Sequence, residues 1–354
     1  MDVYRIKKAK KYNSSKKLEL HENERPDYHE DKINCREVQE VDYKLETTVQ
    51  PGRYGSHEVV TMENDYFSVT VRPADGGRIV GLLDKQTGCP LIWTNERTTD
   101  VFRHYSCNYD DLSNGGVEEA FPTVQPCTIG DAQLPFFGEV WNVPWRVLQT
   151  KERLTLSCYS PVFPARLEKS FYFSRDGQAL ISDYCIQNIG AEPFAYVFGV
   201  HPSLTLYEDS ILVAPQEEYA LYVSMPDKVE GIPVFSWPAY RDIDFRYAKP
   251  KESLACYNLV SMPTSGTRYG LLHPSRGTGL MVEYDPAFFR CLSLWPIYGG
   301  VRGLRCLMSE VFTAWPAGLD AAIERDLAYT LNPGAMERTS ITYRLTRDQT
   351  GGAK

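Results

Sequence analysis

The sequence predicts a large all-β sandwich behind a charged N-terminal extension. Three observations carry that prediction. Short runs of alternating apolar and polar residues recur from about residue 57 to residue 345, the pattern of a half-buried strand. Gly, Pro, Asn and Asp punctuate these runs at close spacing, as turn residues do. Long amphipathic helical patterns are missing, and the best candidate, 319-LDAAIERDL-327, is at most a short helix. With 354 residues, 43% of them hydrophobic, the chain can bury a large core. Many strands without intervening helices then imply a many-stranded sandwich.

The elements follow in order. Residues 1–46 are charged and poor in aliphatics, and their basic stretch 6-IKKAKKYNSSKK-17 reads as a solvated arm. One β-sandwich domain is expected over 47–348, with a flexible tail at 349–354. In 66-YFSVTVRP-73, Phe67, Val69 and Val71 alternate with Ser68, Thr70 and Arg72. The turn 75-DGG-77 leads to a strand at 78-RIVGLLD-84, and 87-TGCP-90 reads as a further turn. The clearest hairpin joins 167-LEKSFYFS-174 to 179-ALISDYCIQN-188 through Asp176 and Gly177. The last strand is 339-TSITYRL-345, after the turn 332-NPG-334.

Composition excludes several classes of function. A net charge of −8 makes nucleic acid an unsuitable partner. Nine scattered cysteines without a CxxC pair, and six histidines that do not cluster near them, argue against a zinc site and for a reducing, cytoplasmic setting. No run of about 18 apolar residues could span a bilayer, and no secretory h-region is visible. Phosphate-loop and dinucleotide spacings are absent, as are G-x-S-x-G and H-E-x-x-H. No cofactor is expected.

What remains is a small set of polar residues stranded among apolar ones. In 196-YVFGVHPSLTLY-207, His201 sits in an apolar, aromatic run and is followed at once by a proline that cannot donate to a sheet ladder. Either His201 is a core histidine with one good hydrogen bond, or the strand ends there at the floor of a site. Glu310, in 304-LRCLMSEVFTAWP-316, poses the same question, because a buried carboxylate is costly unless paired. Its alternative is a strand residue on a solvated face. A His and a Glu facing one cavity would form an acid/base pair suited to opening a sugar ring, with the imidazole titrating near neutrality.

Five segments in collinear order resemble the aldose 1-epimerase, or galactose mutarotase-like, superfamily. They are 69-VTVRPADGGRIVGLLDKQTGCPLIW-93, 114-NGGVEEAFPTVQP-126, 137-FGEVWNVPW-145, 199-GVHPSL-204, and 307-LMSEVFTAWPAGL-319 with 331-LNPGAMERTSITYRL-345. The resemblance implies an antiparallel β-supersandwich, a concave, cofactor-free sugar site, His201 as general acid and Glu310 as general base. A small-molecule carbohydrate is then the expected partner, and a monomer or homodimer the expected state.

The sequence also departs from that pattern. Asn114 stands where the family's R-G-G arginine would be, Phe137 where a substrate-binding histidine would be, and Trp141 where a second arginine would be. Loss of both arginines argues against a phosphorylated sugar. Glu139 and Trp141 are candidate substitutes, by hydrogen bonding to hydroxyls and by stacking, or are packing residues. Trp295 and Tyr298, in 294-LWPIYGG-300, and Arg290, with Asp285, complete the candidate substrate-binding set. A lyase or hydrolase on the same sandwich, and a non-catalytic sugar-binding protein, are the competing functions.

Overall fold

The alternating runs form strands where the sequence places them: Phe67–Arg72, Arg78–Asp84, Ala165–Phe173, Ala179–Asn188 and Met336–Thr346. The computed structural model describes residues 47–98, 101, 103–112, 115–222 and 232–347. The expected N-terminal arm and C-terminal tail, and Asn114, lie outside the described residues. The helical candidate is a short helix, Leu319–Glu324. One expectation is corrected. Residues 87–90 are not simply a turn, because Cys89 and Pro90 pair with Asp84 and Leu83 as a brief strand.

Among the described residues the strands form an antiparallel sheet of 13 and another of 8. The larger runs from Thr48–Tyr54 through His57–Glu63, Phe67–Arg72, Arg78–Asp84 and Val117–Ala120 to Gly199–Thr205. It continues through Arg305–Phe312, Cys291–Tyr298 and Asn258–Ser261. The two sheets pack their apolar faces together: Phe67 stacks on Phe173 at 6.0 Å and Tyr184 meets Phe198 edge-on at 5.6 Å. Period-2 alternation assigns every second residue to this core. Leu307 and Val311, with Leu292, Leu294 and Tyr298, point into it.

Among the described residues, an ion pair lies inside the sandwich. Lys169 Nζ is 2.6 Å from Glu119 and 2.9 Å from the Gly76 carbonyl, fully buried, with the Trp145 ring 4.3 Å away. Burial, the largest influence on each, lowers the Lys169 ammonium and raises the Glu119 carboxyl.

A second pair ties the last strand to the large sheet. Arg347 holds both carboxylate oxygens of buried Asp84, one at 2.9 Å, and donates to Thr278. Burial would raise the Asp84 carboxyl, but hydrogen bonds from Arg347, Thr87 and Thr278 bring it down to about 2. A depressed carboxylate stabilises the fold above its unfolded value, near 4, and loses that contribution as pH falls through its folded value. Arg347→Ala is therefore expected to lower stability at neutral pH by about 1–2 kcal/mol and to flatten the decline of melting temperature between about pH 4 and pH 2. An unchanged acid dependence in thermal melts would refute this assignment.

Candidate active site

The site is built by sheet register. On Gly199–Thr205, His201 pairs with Glu118 of Val117–Ala120. On its other side, the register set by Val200↔Val311 and Ser203↔Met308 puts His201 opposite Glu310. Paired residues share a face, so Glu118, His201 and Glu310 form a row across three neighbouring strands. Arg78, one residue back from the Ile79↔Val117 bridge, extends the row on one side. Ser293, paired with Glu310, extends it on the other. The charges alternate along it: Arg78 Nη2 is 2.6 Å from Glu118 Oε2, and His201 Nε2 is 3.1 Å from Glu310 Oε1. His201 Nδ1 faces Glu118 Oε1 at 3.5 Å.

The strand does not end at the histidine, as one sequence reading had it. It runs on through Pro202 to Thr205. The missing proline N–H interrupts pairing with the Glu310 strand only locally, and pairing resumes at Ser203. Ser309 Oγ donates to the Pro202 carbonyl at 2.9 Å, so that carbonyl keeps a partner.

Burial alone would lower the His201 imidazole. The Glu310 charge, hydrogen bonds from His201 to Glu118 and Glu310, and the Glu118 charge outweigh it and raise the group to about 9. Neutral titration, expected from the sequence, is thus corrected: at pH 7 His201 is an imidazolium. Glu118 is fully buried, which would raise its carboxyl, but Arg78, His201 and Tyr109 hold it below the ordinary range. It remains an anion. Tyr109 hydroxyl donates to Glu118 Oε1 and lies 3.5 Å from His201 Nδ1. Its ring stacks on Phe137 at 4.2 Å, and Phe137 meets His201 edge-on at 5.1 Å. Phe137 does so from a left-handed backbone conformation, φ 64°, which costs a bulky residue energy unless its surroundings hold it there.

The row opens into a cavity of about 530 Å³ lined by His201, Glu310, Tyr109, Phe136 and Phe137, with Trp93, Trp295 and Trp315 half-buried in its walls. Asn95, Arg97, Asn258 and Arg302 supply polar lining. Glu310 keeps 15% of its side-chain surface exposed, whereas His201 keeps 2%. The carboxylate is thus the more open of the two. Among the described residues, no three His, Cys, Asp or Glu side chains stand close enough to hold a metal ion.

Of the sequence candidates, His201, Glu310 and Trp295 line this cavity. Glu139, Trp141, Tyr298 and Arg290 do not, which corrects their expected contact with substrate. Glu139 is fully buried and accepts hydrogen bonds from Tyr105 at 2.9 Å, from Ser160, and from the Val162 and Phe163 amides at 3.3 and 3.2 Å. It anchors loops. Trp141 is buried behind Tyr109, edge-on at 5.0 Å, with the Arg78 guanidinium 5.7 Å from its ring. Tyr298 lies three residues from Trp295 on one strand, and an odd spacing sends it to the opposite face, into the core. Arg290 is committed to the Thr313 and Leu327 carbonyls and stacks over Tyr329. Asp285 is exposed.

Sequence reasoning missed Glu118, Arg78 and Tyr109. The first two were legible by the logic applied to Glu310: 117-VEEAF-121 puts two carboxylates inside an apolar run, and 78-RIVGLL-83 opens on an arginine. Tyr109 carries no local signal.

The chain is similar in fold to several solved structures. The Slr1438 protein of Synechocystis sp. PCC 6803 aligns with a TM-score of 0.64 at 18% identity, over 84% of this chain and 98% of that one. A candidate aldose 1-epimerase of Escherichia coli K12 aligns with a TM-score of 0.61 at 15% identity, over 85% and 100%. A galactose mutarotase-like protein of Lactobacillus casei ATCC 334 aligns with a TM-score of 0.61 at 16% identity, over 81% and 100%. A family model described as a domain of unknown function, DUF5107, matches residues 42–134. No curated protein matches the sequence. The chain has the galactose mutarotase-like fold, an antiparallel β-supersandwich.

Proposed function

We propose that this protein is a carbohydrate epimerase that interconverts the anomers of an aldose or modified sugar. One observation carries the reading: a buried imidazolium and a partly open carboxylate stand 3.1 Å apart at the floor of an aromatic-lined cavity. The ring oxygen and the anomeric hydroxyl of a pyranose sit on one carbon, so a donor and an acceptor this close address both at once.

His201 Nε2 gives its proton to the ring oxygen as Glu310 takes the proton from the anomeric hydroxyl. The bond from C1 to the ring oxygen breaks and leaves an aldehyde and a free hydroxyl. Rotation about C1–C2 turns the other carbonyl face toward that hydroxyl. Glu310 then returns its proton to the carbonyl oxygen and His201 recovers its own, so both groups end as they began. Glu118 helps hold the imidazole charged and oriented, and Arg78 keeps Glu118 ionised, which makes both positioning residues. Electrostatics of this kind act strongly in a site closed from water.

Exchange NMR or polarimetry on fresh α-anomers tests the reading. Exchange no faster than in buffer across a broad sugar panel would end it. Trp295→Ala, which removes a stacking wall, is expected to raise KM about three- to tenfold with kcat changed less, by the usual worth of an aromatic contact. Equal loss in kcat would place Trp295 in the chemistry instead.

A lyase reading draws on one observation, the Tyr109 hydroxyl beside His201. That hydroxyl already donates to Glu118, which favours the epimerase. An unsaturated, ultraviolet-absorbing product from a uronate polymer would reverse the preference.

A further inference from the structure

Beside the cavity, the large sheet carries a second groove of about 710 Å³. Trp93, Asn95, Arg97 and Leu304 line both spaces, so the two adjoin, with an indole between them. The groove surface comes from outward positions of Phe67–Arg72 and Arg78–Asp84 and from the strand that carries His201. Thr70 and Thr94 offer hydroxyls, and Leu83, Pro90 and Tyr207 offer apolar and aromatic faces. That mixture suits a pyranose, which presents hydroxyls at its rim and C–H groups on its faces. The deepest cation there, Arg305, is spent on the Leu206, Lys249 and Tyr207 carbonyls at 3.2, 2.7 and 3.2 Å. Glu96, Arg97 and Lys251 add charges of both signs, and Arg97 donates to the Arg302 carbonyl at 3.3 Å, so the groove is no unbroken basic track for a polyanion.

A site of about 300–1,000 Å³ buries one small ligand. Each of the two spaces falls in that range alone. We infer that the substrate is the reducing end of a neutral oligosaccharide, with its terminal pyranose at His201 and Glu310 and the preceding residues crossing Trp93 into the groove. This rests on the epimerase reading, because only a reducing end carries the hydroxyl that Glu310 would deprotonate.

The test uses the full chain and a panel of gluco-, galacto-, manno- and xylo-configured sugars from mono- to trisaccharide. Anomer exchange is followed by NMR and binding by calorimetry. In at least one series, kcat/KM is expected to rise tenfold or more from mono- to trisaccharide. Thr70→Tyr, which narrows the groove away from the acid/base pair, is expected to cut the trisaccharide-to-monosaccharide ratio at least fivefold. Gly81→Tyr serves as a second block, since a Cβ there meets Thr70 at no less than 3.4 Å. A flat response in every series, or a ratio indifferent to both variants, overturns the inference while leaving monosaccharide epimerisation standing. Trisaccharide binding that both variants weaken, with no exchange of any sugar, ends the epimerase reading and keeps the groove as a glycan site.

Discussion

His201→Ala is expected to lower kcat/KM for anomer exchange by about 10²–10⁴-fold, the usual worth of a positioned proton donor. Glu310→Gln is expected to fall in the same range, because the amide cannot take the anomeric proton. In the proposed step the two groups act together on the oxygens of one carbon, so the double variant should be little worse than either single one. The Glu310 variant is the cleaner of the two. It keeps shape and leaves His201 Nε2 an acceptor at 3.1 Å, whereas the alanine also empties a buried volume. Thermal melts accompany the kinetics, so that lost fold is not read as lost chemistry. Either variant retaining more than a tenth of wild-type activity while folded would sink the assignment.

Glu118→Gln acts on stability and on pH dependence together. The Arg78–Glu118 pair is fully buried at 2.6 Å. The variant leaves Arg78 with the Gly115 and Trp141 carbonyls at 2.9 and 3.3 Å but without its contact counter-charge, Asp75 and Glu119 acting from farther away. Stripping one partner from such a pair costs about 3–5 kcal/mol. The variant also withdraws one of the two carboxylates that raise His201 to about 9. The proposed step needs the imidazolium, so the alkaline limb of kcat/KM, expected near pH 9 in the wild-type protein, is expected to move to lower pH. Stability follows the same sign. A histidine raised in the folded state stabilises the fold fully below its unfolded value of about 6.5 and loses that contribution as pH rises through 9. In the variant that contribution is smaller and is gone at a lower pH. Matching profiles for variant and wild type, by initial rates and by melts, would remove Glu118 from its positioning role.

Much of the fold was legible because strand formation leaves a local trace. The run at 66–73 alternates with period 2, those at 78–84 and 179–188 are short, apolar-rich and bounded by turn residues, and all three hold strands. His201 and Glu310 stood out because a buried polar group must find a partner. The same rule, carried to 117-VEEAF-121 and to Arg78, would have added the pair that holds His201. The alternation rule, carried to 294-LWPIYGG-300, would have separated Trp295 from Tyr298. Glu139 shows where such reasoning stops: its buried carboxylate is as costly as that of Glu310, and whether its partners are loop amides or a ligand has no signature in neighbouring residues.

The sequence by itself determined which segments are strands, which face of each is apolar, and which polar residues need an explanation. It did so because alternation and turn chemistry act over a few residues. Tertiary structure alone decided that Glu118, His201 and Glu310 stand in one row, that Glu139 and Trp141 lie behind the cavity wall, and that His201 is charged. Strand order joins segments about a hundred residues apart, and a proton's affinity is set by the charges that this order brings within a few ångströms.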